Sequence, residues 1–355
     1  MSLNCIKGSN YNINEYDFEL PEELIAQEPL SNRDESKLML IKTREKERKN
    51  LYFKKITDLL NEGDLLVLNN TRVIPARLKG INGENGSSVE FLLLRKIASL
   101  KDNKWEVMVK PGKRAMPGNT VIFNNGIEGF IEKTEDSGYR VVTFTYNSNI
   151  CNDKLLFSAG EVPLPPYIKK MVDDPESYQT VYSKVAGSVA APTAGLHFTE
   201  NIFNKLAEKG VKKEFITLHI GPGTFSPVRS EDIRNHDMHE EYYEITEKTA
   251  KEVNDTRRKG KKVIAVGTTS CRVLESMTDG NRMIKSGFGW TDIFIYPGYK
   301  FKCIDGLLTN FHLPRSTLFM LVSALAGTDF MKESYGEAVD KGYRFFSFGD
   351  AMLII

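Results

Sequence analysis

A chain of 355 residues exceeds what one hydrophobic core usually serves, so two domains are expected, each able to bury its own core. Its 41% hydrophobic and 27% charged content is that of a globular protein and excludes a largely disordered one. The formal net charge of +1 excludes a global attraction to nucleic acid, although KTREKERKN from Lys42 and RRKGKK from Arg257 form basic clusters, read as solvated helix ends or loops.

The opening residues lack a basic stretch followed by an apolar run, and no later apolar window reaches bilayer length, so a cytoplasmic protein without a membrane anchor is expected. Cys5, Cys151, Cys271 and Cys303 are scattered and show no CxxC spacing, which argues against a disulfide framework or a thiolate zinc site.

In chain order, LPEELIAQ reads as a helix start, with Pro21 suited to the first helical position, Glu22 and Glu23 opposing the positive helix end, and Leu24 and Ile25 facing inward. KLMLIK from Lys37 reads as a strand, FKKITDLLNEG from Phe53 as a helix stopped at Gly63, and LLVLN from Leu65 as a strand. From about Arg72 the pattern becomes a series of short strand-like runs separated by turns such as NGENGS, PGN and EDSG, with no helical period before about Cys151. A closed antiparallel barrel removes exposed edges from such a series.

After VPLPPYIKK the α/β order resumes: helix ENIFNKLAEKG, strand KKEFITLHIG, helix EKTAKEVNDTRRKG, strand KKVIAVGTTS and helix SCRVLESM. STLFMLVSALAG from Ser316 is apolar, of helical length and too short to span a bilayer, so a buried helix is expected before a closing core strand in FFSFGDAMLII. The fold class expected is a discontinuous, layered α/β catalytic domain, residues 1–71 and 152–355, with an inserted antiparallel β-barrel over residues 72–151.

All five histidines lie between Tyr178 and Ser316, which concentrates candidate chemistry in the second half. VAGSVAAPTAGLHFT, from Val185 to Thr199, is too irregular for helix or strand and sets Thr193, Gly195 and His197 where backbone can approach a ligand, or where a tight loop merely needs small residues. TLHIGPGTFSPVR carries His219 and turns at Gly221, Pro222 and Gly223, but Ser226 stands where a dinucleotide fingerprint needs its third glycine. AVGTTS places Thr268, Thr269 and Ser270 between a strand and a helix, where free amides suit an anion as well as a capping turn. HDMHEE offers His236, His239 and Glu240 without HExxH spacing or a third ligand, so polar or acid/base contacts are favoured over metal and no metal is expected. TNFHLPRST presents Asn310, His312, Arg315 and Ser316 just before the apolar helix, as site residues or as caps and surface contacts.

Taken together, YQTVYSK, GSVAAPTAGLHFT, LHIGPGTFSPV, HDMHEEYYEI, AVGTTSCRVLES, IFIYPGY, NFHLPRSTL and YRFFSFGDAM resemble the S-adenosylmethionine:tRNA ribosyltransferase-isomerases of queuosine biosynthesis, and YDFELPEELIAQ and VLNNTRVIPARL extend the resemblance to the N-terminal part. It runs from about Tyr16 to Ile355. It implies transfer and isomerisation of the ribosyl group of S-adenosylmethionine onto 7-aminomethyl-7-deazaguanine at the tRNA wobble position, giving epoxyqueuosine with release of adenine and methionine. It also implies an α/β domain carrying an inserted β-barrel, no cofactor because S-adenosylmethionine is consumed, and a monomer acting on the tRNA anticodon loop.

Three positions depart from the family's pattern: Ala186 stands for a Pro, Leu325 for a Phe and Phe348 for a Tyr, so no hydroxyl is essential at 348. The reaction needs a base, an acid for departing adenine and dipoles for charge on the ribose, and His197, His219 and His239 are the acid/base candidates in matched motifs. The resemblance further implies that Phe198, Phe225 or Phe311 faces the sulfonium, unless they are core, and that Gln179, Thr193 and Asn310 read the flipped base. Lys169, Lys170, Arg229 and Arg315 are candidate phosphate contacts. Tyr182, Gly195, Thr224, Glu240, Thr268, Thr269, Ser270, Arg272, His312, Ser316 and Asp350 complete the candidate substrate site. The rival functions are a non-catalytic RNA-binding module gripping RNA with its barrel, and a metal-dependent hydrolase built on His236 and His239.

Overall fold

The computed structural model describes residues 11–97, 103–146, 153–170, 174–225 and 228–355, without the side chains of 224 and 225. The chain divides into two compact units, one of residues up to Thr71 with Pro166–Lys184 and Pro192–Ile355, the other of Arg72–Pro165 with Val185–Ala191.

In the first unit, β1 (Lys37–Lys42), β2 (Glu47–Tyr52), helix α1 (Ile56–Leu59) and β3 (Leu65–Asn69) come first. After the short β4 (Thr71–Val73), the second unit contributes β5 (Arg77–Asn82), β6 (Ser88–Lys96), β7 (Lys104–Lys110), β8 (Thr120–Phe123), β9 (Ile127–Thr134), β10 (Arg140–Tyr146), α2 (Asp153–Ser158), β11 (Gly160–Glu161) and β12 (Val185–Ser188). The first unit resumes with α3 (Glu200–Glu208), β13 (Lys212–Leu218), β14 (Glu241–Ile245), α4 (Glu247–Arg258), β15 (Val263–Val266), α5 (Thr268–Met277), β16 (Gly287–Thr291), β17 (Gly306–Asn310), α6 (Thr317–Ala326), α7 (Thr328–Asp340) and β18 (Ala351–Ile354).

The first unit is built on a nine-stranded sheet in the order β16-β14-β13-β3-β15-β17-β18-β1-β2. β13, β3, β15 and β17 run parallel, and β18 is antiparallel to β17 and parallel to β1. β3, β15 and β17 are buried at every position, which is why LLVLN, VIAV and GLLTN read as continuous runs rather than alternating ones. Leu66, Leu68, Ile264, Val266, Leu308 and Leu353 meet Phe53, Phe198, Ile202 and Phe203 in one core cluster.

In the second unit β5, β6, β7, β10, β9 and β8 form an antiparallel series that closes through pairing of β5 with β8. Alternation fills its interior, with Leu78, Val89, Phe91, Val107, Val121 and Phe144 inside and Lys79, Ile122 and Glu128 outside. The fold is therefore mixed α/β with an inserted antiparallel barrel. Expected to end near residue 151, the barrel unit runs on to Pro165, because α2 puts Leu156 into its core and β11 pairs with β5.

Three local expectations change. LPEELIAQ makes only a 3-10 turn over Glu22–Leu24, since Ile25 bridges Phe345 and the Ala26 amide donates to the Phe345 carbonyl at 3.1 Å, drawing the chain out of a helix. The FKKITDLLNEG helix is split into a 3-10 turn over Phe53–Lys55 and the single turn of α1. KTREKERKN is a hairpin leading into β2, an edge strand whose exposed charges discourage further pairing. HDMHE is an irregular stretch that leads directly into β14. No helix among the described residues is long and apolar enough to cross a membrane.

Candidate functional site at the carboxyl edge of the sheet

The parallel strands end at Leu218, Asn69, Val266 and Asn310 on one edge, and the register of β18 against β17 and β1 brings Asp350 and Ser36 to the same edge. Ligands of open α/β sheets bind in the crevice outside these ends. Asn69 ties the edge together: its Oδ1 accepts from the Thr71 and Leu218 amides at 3.1 and 3.0 Å, and its Nδ2 donates to the Leu218 carbonyl at 2.9 Å and to Thr269 Oγ1 at 3.4 Å.

His219 follows β13 directly. Its Nδ1 is 2.8 Å from Thr71 Oγ1, its ring stacks on Tyr242, and burial pushes its pKa down to about 4, so the imidazole is neutral at pH 7. Among the described residues its Nε2 has no partner, which leaves a lone-pair nitrogen unengaged by them if Nδ1 carries the proton to Thr71.

His197 sits in a 3-10 turn, Thr193–His197, and is held on both sides. Thr193 Oγ1 donates to Asn310 Oδ1 at 3.1 Å, Asn310 Nδ2 lies 3.1 Å from His197 Nε2, and His197 Nδ1 lies 2.8 Å from Ser36 Oγ. With Asn310 donating, Nε2 is the acceptor and Nδ1 carries the proton to Ser36. Burial first, then Arg344 and Arg33, push the His197 pKa down to about 3, and Phe53 stacks on the ring. Beside it opens a cleft lined by Arg33, Ser36, Ser177, His197, Arg344, Ser347 and the apolar Pro29, Leu30, Leu196 and Phe348.

At the start of α5, Thr268, Thr269 and Ser270 are buried, and Ser270 Oγ has no hydrogen-bond partner among the described residues. Further along α5, buried Arg272 pairs with buried Glu241 and donates from Nε to the Ile293 carbonyl at 3.1 Å, while Glu241 Oε1 accepts the Gly221 amide at 3.3 Å.

A family model described as queuosine biosynthesis protein matches residues 13–354. The chain belongs to the queuosine biosynthesis protein family. It is 55% identical to the S-adenosylmethionine:tRNA ribosyltransferase-isomerase of Thermoanaerobacter sp. (strain X514) over 343 residues, covering 96% of this chain and 99% of that one. The protein of the same name from Halothermothrix orenii is 52% identical over 344 residues, 97% of this chain and 99% of that one. Among solved structures, S-adenosylmethionine tRNA ribosyltransferase from Thermotoga maritima superposes with a TM-score of 0.55 at 37% identity, covering 96% of this chain and all of that chain.

The queuosine biosynthesis family motifs named from the sequence fall into three groups in the structure. His197, Thr193 and Asn310 form one network, and Thr269 joins His219 through Asn69 and Thr71. A second group is structural in its contacts. Phe198 is fully buried between Phe53 and Phe203, and Phe311 among Tyr335, Tyr343 and Phe345. Tyr182 packs on Phe203 and Phe215 and lies where a Cβ on Gly195 would be, 1.9 Å from that position, so Gly195 must be glycine. His312 is buried against Thr309 with its pKa pushed down to about 3 by burial. Ser316 Oγ caps α6 through the Phe319 amide at 3.1 Å, and both Asp350 carboxylate oxygens accept backbone amides, those of Lys37 and Arg344, at 2.8 Å. Arg315 pairs with Asp17, and the Gln179 carbonyl accepts from Arg33 at 2.7 Å.

The third group is open to solvent: His239, Glu240 and Arg229 are exposed. The His239 ring carbons lie within 2.4 Å of where a Cβ on Gly223 would stand, so that glycine admits the imidazole. Thr224 and Phe225 have side chains outside the described set. His236 meets Phe294 edge-on, and among the described residues no group of three His, Cys, Asp or Glu is placed to hold a metal. Reading the sequence missed Ser36, Arg33, Asn69 and Glu241. Asn69 lies in a quoted motif, VLNNTRVIP, but nothing local marks Ser36 or Arg33, which reach the site only through long-range packing.

Proposed function

We propose that this chain is an S-adenosylmethionine:tRNA ribosyltransferase-isomerase, which transfers and isomerises the ribosyl moiety of S-adenosylmethionine onto 7-aminomethyl-7-deazaguanine at the tRNA wobble position and releases adenine and methionine. The observation that carries this is 55% identity to a relative of that name across 96% of this chain and 99% of the relative. S-adenosylmethionine is then a consumed substrate and no resident cofactor is required. The reaction demands proton removal next to a sulfonium-activated carbon, proton delivery to departing adenine, and dipoles for charge developing on the sugar.

His219 suits proton removal, being neutral at pH 7, oriented by Thr71 and without a partner on Nε2 among the described residues. His239, exposed against Gly223, is assigned to proton delivery. His197 is given a positioning role, because both its nitrogens are engaged: it aligns Ser36 and Asn310 while Thr193 orients the Asn310 amide. Buried Ser270, whose hydroxyl has no partner among the described residues, and the first amides of α5 supply dipoles at the same edge. The anticodon base is taken to leave its stack in a single-stranded loop, at a cost of unstacking alone.

The test incubates the protein with S-adenosylmethionine and tRNA carrying the deazaguanine precursor, following adenine release and the modified nucleoside by mass spectrometry. Adenine formation dependent on the precursor tRNA is the result expected. No adenine above an enzyme-free control would remove the assignment, and tRNA binding without adenine would point to a binding module.

A further inference from the structure

The cleft beside His197 is a positively charged recess with no acidic side chain in its wall. Arg33 and Arg344 line it, both are partly buried, and neither forms an ion pair among the described residues. Arg33 donates to the main-chain carbonyls of Gln179, Glu176 and Ser177 at 2.7, 3.1 and 3.3 Å, and Arg344 to that of Glu28 at 3.3 Å. These neutral acceptors fix the guanidinium planes without neutralising them. Acids outside the lining do act on them, Asp174 and Glu176 on Arg33 and Asp350 and Glu28 on Arg344, without entering the wall of the cleft, and Glu28 is itself paired with Lys170. Besides His197, the remaining polar side chains at the cleft, Ser36, Ser177 and Ser347, are hydroxyls, and Ser177 Oγ is buried without a partner among the described residues.

Partly buried cations are costly, and two lining one recess that has no acid in its wall also repel each other, an arrangement that an anion in the recess relieves. We propose that this cleft is a phosphate site for the tRNA backbone, with Arg344 and Arg33 as its ligands. The inference rests on the proposed reaction to the extent that tRNA is the substrate. The methionine end of S-adenosylmethionine also offers an oxyanion, but brings an ammonium and a sulfonium that two guanidiniums and no carboxylate would repel. A phosphodiester brings negative charge alone, and arginine matches its oxygens with paired donors. The rim agrees: Lys170 is exposed and bound to Glu28, whose carbonyl accepts from Arg344, and Lys169 lies next in the chain, paired with Glu22.

The experiment measures retention of unmodified tRNA by wild type and Arg344→Gln over a salt series without S-adenosylmethionine, and separately KM for S-adenosylmethionine in adenine release. The variant should bind tRNA roughly tenfold more weakly, as for a lost charge-assisted hydrogen bond, with a salt slope shallower by about 0.7 for one phosphate on a single strand. KM for S-adenosylmethionine should not move. Unchanged tRNA affinity and slope would overturn the proposal, as would a raised KM with tRNA binding intact, which would place the carboxylate there. Should the variant lose its cooperative thermal transition, wild type decides the matter: inorganic phosphate should compete with tRNA more strongly than chloride at matched ionic strength, and equal competition counts against the site. Retention reads no turnover, so it can fail while adenine release by wild type succeeds, and the reverse.

Discussion

For His197 and His219, the proposed roles follow the state of the second ring nitrogen. His197 has a partner at each nitrogen and Phe53 against its face, so its removal should cost stability first. His197→Ala leaves Asn310 and Ser36 without their partner and opens a cavity, and a loss of about 2 to 4 kcal/mol is expected in urea unfolding. His219→Ala removes one hydrogen bond at a half-buried position and should cost much less, yet lower turnover roughly a hundredfold if it is the base, with tRNA retention at fixed salt preserved. A His219→Ala enzyme with wild-type turnover would take that residue out of the chemistry. The pH profile gives a second reading. With its pKa depressed to about 4, His219 is deprotonated throughout the neutral range, so as the proposed base it should give a kcat/KM that is flat from about pH 6 upward and falls as pH drops through about 4. A fall centred near pH 6.5, the ordinary imidazole value, would mean that the titrating base is a different group.

Between elements, a cap and one buried ion pair hold together positions that the sequence assigned to substrate. Ser316 accepts the Phe319 amide at the start of α6, and Ser316→Ala should cost about 1 kcal/mol of stability with kcat and KM unaltered. A raised KM at unchanged stability would return Ser316 to the substrate site. Arg272 and Glu241, each only 3% exposed, join α5 to β14, so Glu241→Gln strands a buried guanidinium and should cost about 3 to 5 kcal/mol, read from the denaturant midpoint. Strands such as LLVLN and VIAV and the apolar α6 were legible in the sequence because their buried runs have no competing period, and barrel turns because Gly, Asn and Asp punctuate them. LPEELIAQ misled because Ile25 is drawn into pairing with Phe345, 320 positions along the chain by their numbering, which no local pattern reports. The site behaves alike: His197, Thr193 and Asn310 stand in conspicuous motifs, whereas Ser36 and Arg33 become site residues only when β1 docks beside β18.

Over the molecule as a whole, the three most strongly depressed histidines contribute to the response to acid. His197 and His312 have pKa values near 3 and His219 near 4, all lowered chiefly by burial, against about 6.5 in an unfolded chain. The unfolded state therefore binds more protons than the native state at pH values between those limits, and stability rises with pH there. The contribution is complete above about pH 6.5 and is lost as pH falls toward 3, at about 1 kcal/mol per pH unit for each histidine once the unfolded chain is protonated. Asp350 opposes the trend weakly, since burial raises its pKa and the native state then takes up a proton more readily as acid is added. Urea midpoints of wild type at pH 7 and pH 5 should differ in favour of pH 7, with the unfolding m-value unchanged. His312→Asn, which replaces a buried titrating ring outside every proposed proton transfer by a group that does not titrate, should flatten that difference while lowering stability at both pH values. A pH response of undiminished steepness in His312→Asn would mean that carboxylates, not buried imidazoles, govern acid unfolding of this protein.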